Sequence, residues 1–482
     1  MNKEQRLLIL ERFAQLAHKE DENVEFRARA FLPLPMHRLA LRREKVVVLG
    51  GRGAGKSALF RLLTLERKYL LDFFGDDLPE AATWVNGFSD DEKIHPQPPE
   101  IDALAASPDN ERLRLFWMSH LLTVLLEKEP GLVDLPDELR ALLADSRETL
   151  VARIAALMPS IGLLTRALDV IDDRLAKKNR TLFVAYDQID RLGAHDTKKR
   201  ARLAGTLLSM WLTLSNRYRN LRAKVFLRHD VFEDSQRVYA DATKLAARAV
   251  SLDWDVESLF RVVARHLAND VHGDPVGLVE TREWLSGIDG MELRTSKLTG
   301  WMPGEISSET QRCFGIALAG EYMGSGPTKG RTYKWIVNHL QDANLRVVPR
   351  SMLSLLGLSA HNALKAPPAR GVPLMTPTLL AGALAETSRA RVTEIGEEYK
   401  VVQRIRNLAN ESVLLDRKVT IDLLARLVPG EEAGLPGDGE IVLDELCRLG
   451  VLKIREDGRI DVPDIYRYGY GIKRKGGVKQ AR

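Results

Sequence analysis

Two short stretches carry residue types whose spacing suits phosphate chemistry. The first is GGRGAGKS, Gly50 to Ser57, which satisfies G-x-x-x-x-G-K-[ST] in full. Its glycines let backbone N–H groups wrap a chain of phosphates, and a helix starting here adds the positive end of its dipole. Lys56 then neutralises the β- and γ-oxygens, and the Ser57 hydroxyl holds Mg2+. The expected contacts run through Gly50, Gly51, Arg52, Gly53, Ala54, Gly55, Lys56, Ser57 and Ala58. The second stretch is TLFVAYDQIDRL, residues 181–192, an apolar run ending in Asp187. An acid there suits Mg2+ bound through water, or else it caps a following helix.

Gln188 follows directly. Glutamine orients a water but cannot accept its proton. Losing a general base typically costs roughly 10²–10⁴ in rate. Slow hydrolysis is the expectation. Asp190 either assists as a second acid, caps the next helix or pairs with Arg191. Arg228, ending the run KVFLR, reaches a γ-phosphate if its strand neighbours the one before Gly50. Arg350 opens a helix after Pro349. Each arginine has a structural salt bridge as its alternative.

These residues need a sheet to hold them. KVVVLG (45–50), ATWVNGF (82–88), TLFVAYD (181–187), AKVFLRHD (223–230) and ARAVSLDW (247–254) read as strands. SALFRLLTLERKYLLDFF and most of 108–175 read as helix, as does a long run from Lys198 to Arg219. Strands alternating with helices predict βαβ units and a parallel sheet. After Leu267 the pattern is mainly helical. KAPPARGVPLMTPT (365–378) marks a linker, and VLKIREDGRIDVP reads as a hairpin around a D-G turn.

Together GGRGAGKSALF, FVAYDQIDRL, VFLR and VVPRSMLSLL resemble the AAA+/STAND/KAP branch of P-loop ATPases, over roughly residues 37–365. Its origin-recognition-like members also end in a winged helix. The resemblance implies an α/β fold: a P-loop NTPase parallel sheet flanked by helices, a helical lid and a C-terminal winged-helix domain. The corresponding segments are 1–36 (N-terminal helical), 37–270 (core), 271–365 (lid) and 366–482 (linker, winged helix and basic tail). By the same resemblance the cofactors are ATP and Mg2+, and Arg228 and Arg350 match the sensor-1 and sensor-2 positions. It also implies a homo-oligomer with an arginine donated across subunits, for which Arg217 and Arg219 are candidates. Bacterial chains of this type resemble components of anti-phage or mobile-element systems, in which a partner protein carries the effector activity. Family members commonly read D-E or D-D where this chain has Asp187-Gln188.

Composition narrows the remaining classes. The chain has 482 residues, only two cysteines and no CxxC or HExxH, which argues against disulfide scaffolds and zinc sites. No apolar run approaches the roughly 18 residues that span a bilayer, and the N-terminus lacks a signal-peptide pattern, so a cytoplasmic location with no membrane is expected. Net charge is +5, and the stretch 451–482 alone carries that excess. There DIYRYGYGIKRKGGVKQAR interleaves tyrosines with Arg467, Lys473, Arg474, Lys475 and Lys479. Such a mixture suits nucleic-acid phosphates, while the tyrosines could equally close a small core.

Overall fold

The computed structural model describes the chain except residues 18–23, 66, 80, 90–92, 146, 194–195, 240–241, 367–372, 430–436 and 475–482. It divides into two compact units, Pro33–Asp253 and a second made of Met1–Leu32 with Trp254–Arg482.

The first unit is built on five strands: β1 (Val47–Leu49), β2 (Ala82–Phe88), β3 (Thr181–Tyr186), β4 (Leu221–Leu227) and β5 (Ala249–Ser251). All five are the strands expected from the sequence. Their order across the sheet is β2-β3-β4-β1-β5 and every pairing is parallel, with Val47 opposite both Val225 and Ala249. Both faces of such a sheet are covered by helices, so its strands read as unbroken apolar runs rather than alternating ones. Every residue of β3 is buried accordingly. The covering helices include α1 (Lys56–Leu65), α2 (Asn110–Lys128), α3 (Ile161–Lys177) and α4 (Thr197–Arg217). Asp196 caps α4 by accepting the N–H groups of Lys198 and Lys199 at 2.9 and 3.0 Å. Trp117 of α2 and Trp211 of α4 are wholly buried against β3, and the Trp117 indole donates to the Leu203 carbonyl at 3.1 Å.

One sequence expectation needs correction. The stretch Leu150–Lys177 reaches a mean hydropathy of 1.6 over an 18-residue window, so by length and composition alone it could cross a bilayer. In the structure it is the helix Leu150–Leu157 and α3, joined by a tight turn at Met158–Ser160. Its apolar side, including Ile154, Leu164, Leu168 and Ile171, belongs to the core of this unit.

In the second unit the N-terminal helix Lys3–Ala14 is not a separate segment. Ile9, Leu10 and Phe13 join the same core as Leu259, Leu267 and Leu356. Arg12 is 1% exposed and donates to the carbonyls of His266, Leu267 and Asp274 at 3.2, 3.3 and 2.9 Å. Burial lowers its pKa to about 10. This long-range packing joins Met1–Leu32 to the unit that resumes at Trp254. A hairpin, Leu293–Ser296 with Gly300–Pro303, appears where the pattern looked helical. Gly300 takes φ +80° beside the Asn269 side chain, which a Cβ would meet at 2.2 Å. The hairpin around Asp457-Gly458 forms as expected, pairing Lys453–Ile454 with Ile460–Asp461. Before it come the helices Pro377–Glu398, Arg417–Leu424 and Gly439–Arg448.

Candidate functional site

Parallel sheets gather ligands beyond the carboxyl ends of their strands, and the phosphate-suited residues lie there. Gly50 ends β1, its N–H held by the Leu227 carbonyl at 3.1 Å. A Cβ on Gly50 would meet Ala54 Cβ at 3.1 Å and Lys56 Cγ at 3.3 Å. Gly53 and Gly55 take φ of +82° and +94°, which side chains disfavour. α1 then opens at Lys56, so Lys56, Ser57 and Ala58 occupy its first turn. There backbone N–H groups have no partner within the helix. The Lys56 ammonium donates to the carbonyls of Gly50 and Gly51 at 2.8 and 3.2 Å.

Asp187 follows β3 and is 3% exposed, its own N–H donated to the Phe88 carbonyl at 2.9 Å. Burial pushes its carboxyl above the usual range; a hydrogen bond from Ser57 opposes that, Asp190 reinforces it, and Lys56 opposes it again. So the two stretches, far apart in sequence, converge on one point. Asp187 does not cap the short helical turn Ile189–Arg191; Gln188 stands at that cap position, with no side-chain cap bond. Gln188 itself is left-handed, φ 61°. For a residue with a Cβ this conformation costs on the order of 1 kcal/mol.

The kink at Gln188 turns Asp190 toward Arg228. Arg228 ends β4, which does neighbour β1, and is 4% exposed. Its guanidinium bonds Asp230 twice at 3.2 Å and lies 3.5 Å from Asp190. Asp230 was not singled out from the sequence; the adjoining R-H-D was its only signal. A second feature missed there is a buried polar group at the end of β2. Asn86 donates to Ser89 at 2.8 Å, and His95 Nδ1 lies 3.0 Å from His120 Nε2. Burial, with the charge of His95, lowers the His120 pKa to about 3. Gly87 forms a bulge there, where a Cβ would strike Val184 at 2.3 Å.

Arg217 is held by Asp169 through two 2.7 Å bonds. Arg219 is exposed near the opposite, amino end of β4. Arg350 belongs to the second unit, on the helix Pro349–Lys365, and bonds Glu394 at 3.3 Å. In the basic C-terminal stretch the two expected arginines are paired. Arg467 is 7% exposed and pairs with Asp464 at 2.7 Å, while Arg474 pairs with Asp461 at 3.1 Å. Tyr466 and Tyr470 are buried, so the tyrosines do close a core; Tyr468 is exposed. Lys473 is exposed, and Lys475 and Lys479 lie outside the described residues. Asp464 and Asp461 thus neutralise the two described arginines of that stretch.

For a metal, the donors fit a hard cation sharing its shell with phosphate and water: one buried carboxylate, Asp187, and one hydroxyl, Ser57. Among the described residues no group of three or more His, Cys, Asp or Glu could cage an ion.

No family model and no curated protein matches the chain. Among solved structures it is similar to the Walker-type ATPase PABY2304 of Pyrococcus abyssi, with TM-score 0.37, 11% identity, and coverage of 94% of this chain and 95% of that one. It is also similar to the Aeropyrum pernix ORC2 protein, solved as ADPNP–ADP complexes, with TM-score 0.28, 11% identity and 89% coverage of each chain. Likenesses this distant leave the reading of function to the site itself.

Proposed function

We propose that the chain is a Mg2+-dependent ATPase of slow turnover, in which nucleotide binding and assembly are the main events. One observation carries this reading: Lys56, Ser57 and Asp187 meet at the carboxyl end of a parallel sheet, around a loop of left-handed glycines. Lys56 holds a triphosphate's outer oxygens, while the first-turn amides of α1 hold its inner ones. Ser57 and Asp187 would hold Mg2+, which would supply charge neutralisation to the phosphates.

Slow turnover follows from two groups. Gln188 positions water without taking its proton. Arg228 already faces two carboxylates, so meeting a γ-phosphate requires it to exchange Asp190 or Asp230 for the new anion. The Arg350 contact, the cross-subunit arginine and the defence setting with a partner effector come from the resemblance alone. The C-terminal helices and hairpin have the order of a winged helix. Its helix Gly439–Arg448 carries Glu440, Asp444 and Glu445 against Arg448, which favours docking protein over entering a DNA groove.

Steady-state hydrolysis of wild type, Lys56→Ala and Gln188→Glu tests the proposal. Wild type turns over slowly, Lys56→Ala falls to background, and Gln188→Glu is faster. Fast wild-type turnover that Gln188→Glu leaves unchanged would overturn the slow-switch reading.

A further inference from the structure

At the amino ends of the same strands lies a second collection of cations. Arg222 begins β4, Arg248 immediately precedes β5, and Arg42, Arg43 and Lys45 lead into β1. Arg219 adjoins them, its carbonyl accepting from Arg222 at 3.0 Å. What holds these side chains is backbone and amide oxygen rather than carboxylate. Arg222 also donates to the Ser215 carbonyl at 2.9 Å, Lys45 to the carbonyls of Ala247 and Ala249 at 3.0 and 3.1 Å, and Arg248 to the Asn216 side-chain oxygen at 2.6 Å. Beneath them Lys224 is wholly buried and donates to the carbonyls of Arg42 and Lys45. The side chains of Arg42, Arg43 and Arg219 make no hydrogen bond or ion pair among the described residues.

Nearby acids offset this charge only in part, Asp172 and Glu44 both acting on Arg222. Asp172 accepts the backbone N–H groups of Arg219, Asn220 and Leu221 at 3.3, 2.7 and 2.9 Å, and Asp169 is taken by Arg217 and Tyr218. Glu44 remains as the one opposing surface charge felt by Arg222 that has no bond of its own. Burial lowers the Arg222 pKa, and Arg248 and Arg43 push it the same way.

We propose that this amino edge of the sheet binds the phosphodiester backbone of a nucleic acid, without reading its sequence. Guanidinium groups with free donors suit phosphate oxygens. None of the exposed large apolar residues lies in 42–45, 215–222 or 247–249, so the patch lacks the apolar centre of a protein interface. Of the five expected C-terminal candidates, Arg467 and Arg474 are already neutralised. This inference stands apart from the ATPase reading, since it uses the opposite end of the strands.

Fluorescence anisotropy with a random-sequence duplex and a single strand of equal length tests it on the full chain. Wild type binds, with affinity falling as roughly the third to fifth power of salt. Arg43→Glu/Arg219→Glu weakens binding roughly tenfold or more at low salt and flattens the salt slope by about two. The neutral pair Arg43→Gln/Arg219→Gln gives a smaller loss in the same direction, and a folded melting transition validates both. Lys56→Ala retains binding, which separates this test from that of the nucleotide site. Duplex and single strand distinguish the source of the phosphates. Wild type binding neither probe overturns the proposal, as does an unchanged double variant or a larger loss from Lys473→Glu. So does low-salt self-association that the variant abolishes in place of any nucleic-acid binding, since that assigns the patch to an acidic protein face.

Discussion

The two ends of one sheet handle positive charge in opposite ways. At the carboxyl end Arg228 is enclosed by Asp190 and Asp230. At the amino end Arg222 and Lys45 donate to carbonyl oxygens, and the side chains of Arg43 and Arg219 donate to nothing described. A carbonyl satisfies a donor without cancelling its charge, whereas a carboxylate does both. Lys56, although it sits at the carboxyl end, belongs with the carbonyl-held group. Cations of that kind stay ready for an incoming anion. One enclosed by carboxylates first has to exchange partners.

Substitutions at the two ends sharpen this contrast. Removing Asp230 takes both of its bonds from the buried Arg228 and leaves it only Asp190 at 3.5 Å, so Asp230→Ala should cost about 2–3 kcal/mol in urea unfolding. Arg219→Ala, on the same strand's other end, should stay within about 0.5 kcal/mol. Equal costs would mean the two ends do not differ as described. Lys56→Ala should weaken nucleotide binding by about 1.5–3 kcal/mol in titration calorimetry and leave the unfolding midpoint nearly unchanged, because only carbonyls lose a partner.

Acid should also act on the carboxyl end. With the His120 pKa lowered from 6.5 to about 3, the unfolded chain holds a proton there that the native chain lacks. Stability is therefore full above the unfolded value and falls as pH drops below it, by up to about 1.4 kcal/mol per unit for this one site. His120→Gln should flatten that limb in pH-dependent melts; an unchanged slope would remove the histidine from the explanation. The smallest effect concerns Asp187, whose native carboxyl is shifted upward. The native state then keeps its proton to higher pH than the unfolded chain, so this burial loses stability as pH rises. Asp187→Asn should melt slightly higher than wild type at neutral pH without nucleotide, and equally in acid.

Much of the carboxyl end was legible in the sequence because its determinants are local. Glycines in GGRGAGKS permit the left-handed backbone that the loop takes at Gly53 and Gly55, and strands buried on both faces announce themselves as apolar runs. Asp187 was readable as the end of such a run. The Asp230 clamp was not, since its meaning depends on Arg228 turning back onto it. Neither was the amino-edge patch, whose members at 42–45, 219–222 and 248 are scattered and meet only when β1, β4 and β5 pair. The tail misled for the opposite reason. Its arginines are dense in sequence, but Asp461 and Asp464 lie close enough to neutralise them. Likewise the N-terminal helix shows an apolar stripe without revealing that its partner is some 250 residues away.

The central claim is that Lys56, Ser57 and Asp187 form one triphosphate–metal site. Calorimetric titration of ATP into wild type and Asp187→Asn, each with Mg2+ and with EDTA, tests it most directly. Mg2+ should tighten binding to wild type and have little effect on Asp187→Asn. Equal metal dependence in the two proteins, or no ATP binding by wild type, would contradict it.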